Sequence, residues 1–269
     1  MPVTPSDRTF PLARAVAAIL VPLLLLAFVI LYFSPESSGE RFAWAIRPNM
    51  SNLYIGAGYL GGGFLLLWVA LGRPWHRVQH GFLPITAFAG AMLVATILHW
   101  DRFDVQHFPF QIWLAFYVIS PFLIPYLWLR NRREDPGVPE AGDKTVPLVA
   151  RAGMLVGGTG FGALSLIGFF APEALARLWV WDLSPLTARV MAGWFALLAV
   201  AGWAVGRESR WSAWRIGVGA ISLWHLLVVV GAFWNVEDFG EAGLFNWYLV
   251  LIWAALAGIA VLTYLMERR

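Results

Sequence analysis

The stretch FSPESSGERFAWAIRPNMSN at residues 33–52 returns as FAPEALARLWVWDLSPLTAR at residues 170–189. Both stretches read Phe-x-Pro-Glu and place Trp-x-x-x-Pro eight positions after the glutamate, so each shared residue is displaced by 137 positions. Trp100 and Trp113 recur as Trp234 and Trp247 with a displacement of 134. The sequence therefore contains two copies of one pattern, and we expect the two copies to decide the fold.

The composition of both copies is that of an integral membrane protein. Hydrophobic residues make up 59% and charged residues 13% of the 269 positions, whereas a soluble domain has about 25% charged residues. Eight apolar runs are each close to the ~20 residues that cross the hydrocarbon core of a bilayer. They lie at 12–33, 51–72, 82–99, 109–130, 148–170, 186–205, 213–234 and 244–266. We predict an all-α fold: a polytopic integral membrane protein with eight transmembrane helices in the lipid bilayer.

The composition also excludes several classes of function. The net charge is +3, and the basic residues fall at the ends of the apolar runs, so no basic patch indicates a nucleic acid partner. The chain has no cysteine, which excludes disulfides, thiolate metal sites and a cysteine nucleophile. Nothing in the sequence identifies a cofactor.

The distribution of positive charge predicts the orientation in the membrane. With the N-terminus inside, fourteen of the nineteen lysine and arginine residues fall in inner segments, as the positive-inside rule requires. Each copy then has four spans, so the two repeats lie parallel about an axis along the membrane normal. We divide the chain into repeat 1 at residues 1–133, a cytoplasmic linker at 134–147 and repeat 2 at 148–269. Arg210, in an inner loop, is expected to be solvated.

His225 is the ionisable residue nearest the middle of a span. Such a residue is costly in hydrocarbon and is by default a candidate functional residue. It could relay protons, ligate a haem or bind a substrate; the alternative is a neutral histidine bonded to a neighbouring helix. Trp224 and Trp253 lie deep in their spans and are candidate walls of a ligand cavity. We predict that His225 faces the bundle interior, towards a side chain of another helix or a cavity.

Arg189 lies one turn inside the outer end of the sixth run, where the first copy has Asn52. A buried arginine requires a carboxylate or an anionic ligand. Asp182, Glu173 and Glu237 are the candidate partners, of which we expect Asp182 or Glu237, and Arg189 is also a candidate ligand-binding residue. The alternative is a structural ion pair or a side chain that snorkels to the interface.

A possible metal site follows the third run. His99, Asp101, Asp104 and His107 offer nitrogen and oxygen donors of the kind that bind divalent metals. Their spacing matches no standard metal motif, and the alternative is a solvated loop with a local pair between Asp101 and Arg102.

Two short motifs resemble a known group of proteins. FAWAIRPNMSNLYIGAGY at 42–59 and LHWDRF at 98–103 resemble a loose group of uncharacterised bacterial multi-pass membrane proteins. The resemblance implies a location in the bacterial cytoplasmic (inner) membrane and nothing about chemistry.

Three functions fit these observations. The first is binding or translocation of a small molecule or lipid at the repeat interface, open to the outer face. The second is a membrane-embedded enzyme or metal site at the outer face. The third is a structural or assembly subunit with membrane-protein partners.

Overall fold

The computed structural model describes residues 5–240 and 242–268. Over these residues the chain is helical and has no strand. The helices are α1 (Pro11–Phe33), α2 (Ser38–Arg41), α3 (Asn49–Ala70), α4 (Trp75–Val78), α5 (Phe82–Leu98), α6 (Phe108–Asn131), α7 (Leu148–Phe170), α8 (Pro172–Leu178), α9 (Pro185–Gly206), α10 (Trp211–Trp234) and α11 (Ala242–Glu267). Eight helical segments are long and apolar enough to cross a membrane, with α4 and α5 forming one of them. The predicted all-α, multi-pass membrane fold is confirmed.

The spanning helices interlock between the two halves of the chain. Within each half the first spanning helix packs on the second, α1 on α3 and α7 on α9. The third spanning helix of each half packs on the second helix of the other half, α5 on α9 and α10 on α3. Each half of the chain therefore packs its third spanning helix on the other half. The division into repeats at 1–133 and 148–269 stays a prediction. The superposition of the copies about a membrane-normal axis stays a prediction.

Corresponding arginines cap corresponding helices. The Nε of Arg14 donates to the carbonyl oxygen of Ala70 at 3.3 Å, and the Nε of Arg151 donates to that of Gly206 at 3.3 Å. Both contacts satisfy carbonyl groups that the C-terminus of a helix leaves without partners. They agree with the displacement of 137 between Arg14 and Arg151.

Corresponding aspartates cap the starts of α4 and α10. Asp7 accepts from the backbone N–H of His76 at 3.0 Å and contacts its Nδ1 at 2.6 Å. Asp143 accepts from the N–H of Ser212 at 2.9 Å and from its Oγ at 2.6 Å. Carboxylates at a helix N-terminus stabilise it by accepting from its free N–H groups. His76 and Ser212 meet each other at 3.1 Å, so the two capped turns lie side by side.

The loops define two faces of the bundle. The terminal face comprises residues 5–10, 71–81, 131–147, 207–210 and 267–268, and the distal face comprises 34–48, 99–107, 171–184 and 235–240. That the terminal face is cytoplasmic stays a prediction.

Candidate ligand-binding cleft

A cavity of about 200 Å³ lies between α9 and α10, with α3 behind it. We call it the large cleft. Its walls come from α3, α5, α7, α9, α10 and α11, and almost all of its lining side chains are apolar. It extends from Trp194 and Trp224 in the centre of the bundle to Arg77 and His80 at the terminal face. The large cleft therefore lies towards the terminal face, whereas the sequence led us to expect an opening on the outer, distal face.

Glycines of α3 shape the back wall of the large cleft. A Cβ atom on Gly58 would lie 2.7 Å from the ring of Trp194, and one on Gly61 would lie 3.0 Å from the carbonyl oxygen of Ala220. Small residues let helices approach closely in membranes, so α9 and α10 both reach α3 here. Gly217 of α10 also lines the cleft, and a Cβ atom there would meet no atom within 4 Å. The space in front of Gly217 is therefore unfilled.

Two tryptophans form the inner end of the large cleft. The Nε1 of Trp224 donates to the carbonyl oxygen of Tyr54 at 3.1 Å, and the Trp224 and Trp194 rings lie 4.9 Å apart. Trp194 is buried, and its Nε1 has no hydrogen-bond partner among the described residues. A buried donor without an acceptor costs ~1–3 kcal/mol.

Charged residues lie at the terminal end of the large cleft. The Nε of Arg77 donates to Oε1 of Glu140 at 2.6 Å, and its Nη2 donates to Oε2 of the same carboxylate. The Nε2 of His80 lies 3.2 Å from Oε2 of Glu208. The large cleft is therefore apolar along most of its length and ends at ionic groups. An amphiphilic molecule has the same distribution of apolar and ionic groups.

Arg210 joins the linker to the start of α10 beside this end. Its Nη1 and Nη2 donate to the two oxygens of Asp135 at 2.7 and 2.8 Å, and Nη2 also donates to Glu208 at 2.6 Å. Burial raises the pKa of Asp135, but the hydrogen bonds from Arg210, from the backbone of Gly137 and from Gln79, with the charge of Arg210, together outweigh burial and lower that pKa to about 2. Arg210 is only 6% exposed. The expectation that Arg210 is a solvated charge is wrong, because the linker folds over it.

The terminal face also contains an Asp–His–Ser arrangement that sequence reasoning missed. The Nδ1 of His76 faces Asp7, and its Nε2 lies 3.1 Å from Ser212 and 2.8 Å from Glu140. An aspartate, a histidine and a serine in this order can activate a nucleophile. Here Ser212 donates to Asp143, and both His76 and Ser212 are buried. The arrangement therefore fastens the chain segments of the terminal face.

A smaller cavity, of about 40 Å³, lies on the other side of α3, between α1, α5 and α6. We call it the small cleft. Tyr59 and Tyr117 line it, and their hydroxyl groups hydrogen-bond to each other at 2.9 Å. Phe88 packs on both the Tyr117 ring and the Trp194 ring. Aromatic rings therefore occupy much of the space around the small cleft, which has a smaller volume than the large cleft.

The predicted midplane residues are distributed differently from expectation. Trp224 lines the large cleft, but Trp253 is 49% exposed on the outer surface of α11 and does not line it. His225 is partly buried, and its Nδ1 donates to the carbonyl oxygen of Ile221, one turn earlier in its own helix, at 2.9 Å. The prediction of a partner on another helix is wrong, since the backbone of α10 supplies the acceptor.

Arg189 is also held by neutral groups. Its Nη1 donates to Nε2 of His99 at 2.7 Å, and its Nε donates to the carbonyl oxygen of Phe169 at 3.2 Å. Among the described residues, no carboxylate forms an ion pair with Arg189. The prediction of Asp182 or Glu237 as its partner is therefore wrong. Arg189 lies near the distal face, far along the bundle from the terminal end of the large cleft.

The four residues proposed as a metal site have separate contacts. The Nε2 of His99 accepts from Arg189, and the Nε2 of His107 donates to the carbonyl oxygen of Phe42 at 3.0 Å. Asp104 accepts from the N–H of Gln106, while Asp101 is solvated beside Arg102. In the described part of the chain, no group of three or more histidine or acidic residues is placed to hold a metal ion. The metal prediction is corrected accordingly, because each donor is oriented by a different partner.

The distal face has an open depression between the two halves of the chain. Its volume is about 540 Å³. Its lining comes from both halves: Arg47, Pro48, Asn49, Asp182, Leu183, Ser184 and Asp238. The sequence led us to expect a site at the interface of the repeats, but the walls of this depression are shallow loops rather than packed helices.

Comparison of the chain with protein-family models, with curated proteins and with solved structures finds no match. The feature of the protein that indicates a function is therefore the geometry of the large cleft.

Proposed function

We propose that the protein binds an apolar small molecule or the hydrocarbon chain of a lipid in the large cleft. The observation that supports this is an unfilled cavity of about 200 Å³ between helices of both halves of the chain. An apolar cavity of ~150 Å³ is known to take a benzene molecule, so this one suits a chain of about eight carbons. Concave, mostly apolar sites with a few polar groups are typical of ligand-binding sites. Binding is a step that a carrier and a lipid-binding protein have in common.

The test fills the cavity from within. Gly217→Leu places a side chain in the open space of the large cleft, whereas Gly157→Leu places the same side chain on an exposed surface of α7 where a Cβ atom also meets nothing within 4 Å. The protein is reconstituted in phosphatidylcholine nanodiscs, and retention of labelled octan-1-ol is measured by equilibrium dialysis against empty nanodiscs. The wild type and Gly157→Leu should retain the probe, and Gly217→Leu should lose at least tenfold in affinity, or ~1.4 kcal/mol. Equal retention by both variants would refute the proposal.

We also propose a location in the bacterial inner membrane with both termini in the cytoplasm. The positive-inside bias of the sequence supports this orientation. Reporter fusions at residue 140 and at the C-terminus should both be active in the cytoplasm. Activity of the C-terminal fusion on the outer side would refute the orientation.

A further inference from the structure

Arg77 gives the large cleft its fixed charge. Among the described residues that line the cleft, it is the only lysine or arginine, and most of the others are aliphatic, aromatic or glycine. His80 is the other ionisable lining residue, and Glu208 already pairs with it. A ligand that occupies the full length of the cleft would therefore bring its end group to the guanidinium of Arg77.

Glu140 of the linker occupies that guanidinium. The two side chains form a paired contact through Nε and Nη2 of Arg77 and both carboxylate oxygens of Glu140. Guanidinium and carboxylate groups match each other in this fork geometry, and a phosphate matches the guanidinium equally well. The hydrogen bond from Arg77 lowers the pKa of Glu140, so the carboxylate is charged at neutral pH. The linker thus supplies an anion at the end of an apolar cavity.

The contact between Arg77 and Glu140 is the most exchangeable one in this network. The side chain of Glu140 is 32% exposed, against 10% for Glu208 and 16% for Asp135. Arg77 is itself 26% exposed. Exposed ion pairs contribute little net stability, because water solvates both partners when they separate. His76, the other partner of Glu140, would keep its contact with Asp7.

We infer that the ligand of the large cleft is an amphiphile with one anionic headgroup, and that Glu140 competes with this headgroup for Arg77. The inference rests on the proposed function and adds its ligand class and its regulation. In the unliganded protein Glu140 neutralises Arg77. A bound carboxylate or phosphate headgroup accepts hydrogen bonds from Nε and Nη2 of Arg77 and displaces Glu140 into solvent. This displacement detaches that part of the linker from α4. A free fatty acid and an anionic membrane lipid both have this chemistry.

The experiment uses three probes of equal chain length on nanodisc-reconstituted protein at pH 7.5: octan-1-ol, octanoate and octyl phosphate. Glu140→Gln removes the competing charge and keeps the size of the side chain. It should tighten binding of the anionic probes about tenfold, the factor that ~1.4 kcal/mol represents, and leave octan-1-ol unchanged. Adding Arg77→Gln to Glu140→Gln should abolish that gain. A gain confined to octanoate identifies a fatty acid type of ligand, and one confined to octyl phosphate identifies a phospholipid type.

Asp143→Asn is the matched control, because Asp143 belongs to the same linker but contacts Ser212 and not Arg77. It should change the binding of none of the probes. If Asp143→Asn tightens octanoate binding as much as Glu140→Gln does, loosening of the linker explains the effect and competition is refuted. If octan-1-ol binds in a manner that Gly217→Leu abolishes, while Glu140→Gln changes nothing, the inference fails and the proposed function stands. If no probe binds, the proposed function fails as well.

Discussion

The terminal face and the distal face close the same bundle of helices with different chemistry. At the terminal face, Arg210 holds Asp135 and Glu208, and Arg77 holds Glu140. At the distal face, aromatic rings pack edge to face. Trp44 lies 4.9 Å from Trp113, and Trp181 lies 5.4 Å from Tyr248. Such aromatic pairs stabilise by ~0.5–1.5 kcal/mol beyond the area that they bury, whereas a buried ion pair is costly to break.

The difference has its origin in the linker. The aromatic contacts of the distal face occur in both halves of the chain, as expected when a pattern is repeated. The linker at 134–147 connects the halves and provides the carboxylates of Asp135 and Glu140. It therefore gives the terminal face ion pairs that are at least partly buried, whereas the ion pair found among the described residues of the distal face, between Arg102 and Asp101, is exposed. The large cleft ends at the ion pairs of the terminal face, which is why the asymmetry of the linker bears on ligand binding.

The largest expected effect on stability is the difference between substitutions of Arg210, at the terminal face, and of Arg189, near the distal face. Arg210 is buried, and Arg210→Ala leaves the partly buried carboxylates of Asp135 and Glu208 without its charge. This change should destabilise the protein by ~3–5 kcal/mol. Arg189→Ala removes hydrogen bonds to a neutral histidine and a carbonyl, and should cost ~1–2 kcal/mol. Thermal unfolding in detergent, followed by circular dichroism, compares the two variants.

Arg210→Lys serves as the control for this pair, since lysine keeps the charge but lacks the fork that contacts both carboxylates. Its melting temperature should lie between those of the wild type and Arg210→Ala. An Arg189→Ala variant less stable than Arg210→Ala would reverse the assignment of ionic chemistry to the terminal face.

The two arginines also show what the sequence could and could not predict. The eight spans were predictable because hydrocarbon requires about 20 apolar residues per span. The environment of a single arginine was not, because it depends on how a polar linker folds. Arg210 and Arg189 both lie close to the point where a polar loop meets an apolar run. No neighbouring residue in the sequence indicates that Asp135 contacts Arg210 or that His99 contacts Arg189.

Acidification should affect the two faces at different pH. The pKa of Asp135 is about 2 in the folded protein, below its usual 3.8, so the unfolded chain takes up the proton first. This stability is present above pH ~4 and is lost as the pH falls towards 2. Burial and the charge of Arg189 lower the pKa of His99 below its usual 6.5. Protonation of His99 therefore also favours unfolding, and this smaller loss starts as the pH falls below ~6.5.

Melting temperatures measured from pH 7.5 to 2.5 separate these contributions. His99→Gln should flatten the upper part of the profile, and Asp135→Asn should flatten the lower part. Burial raises the pKa of Glu208, but the hydrogen bonds from His80 and Arg210 together outweigh burial and lower that pKa. Some loss of stability at low pH should therefore persist in Asp135→Asn. A stability that increases between pH 6.5 and 5 would contradict the environment assigned to His99.

The register of the helices in the second half shows a further limit of sequence reasoning. Trp113 and Trp247 match in sequence, but Trp113 is buried and Trp247 is 68% exposed. Tyr248, one position later, packs on Trp181 as Trp113 packs on Trp44. One residue turns a helix by ~100°, which is enough to move a side chain from the core to the lipid. A sequence match within an apolar run therefore predicts the helix, but it does not predict which face of that helix is buried.

The smallest expected effect is that of substituting His225, which the sequence places near the middle of α10. Its side chain bonds to the carbonyl oxygen of Ile221 in the same helix, so His225→Phe removes a local contact and leaves the contacts between helices in place. A net hydrogen bond contributes ~0.5–1.5 kcal/mol, and a bond from a side chain to the carbonyl one turn earlier competes with the helix more than it supports it. We expect a loss below ~1 kcal/mol, or ~2–4 °C in melting temperature.

Trp224→Phe is the matched control one position earlier: it removes the bond to Tyr54 on α3 and opens space in a buried aromatic cluster. Trp224→Phe should lower the melting temperature more than His225→Phe and should weaken octan-1-ol binding, which His225→Phe should leave unchanged because Trp224 lines the large cleft and His225 does not. The opposite order, with His225→Phe abolishing binding, would restore His225 as the contact residue and would place the ligand on the other side of α10.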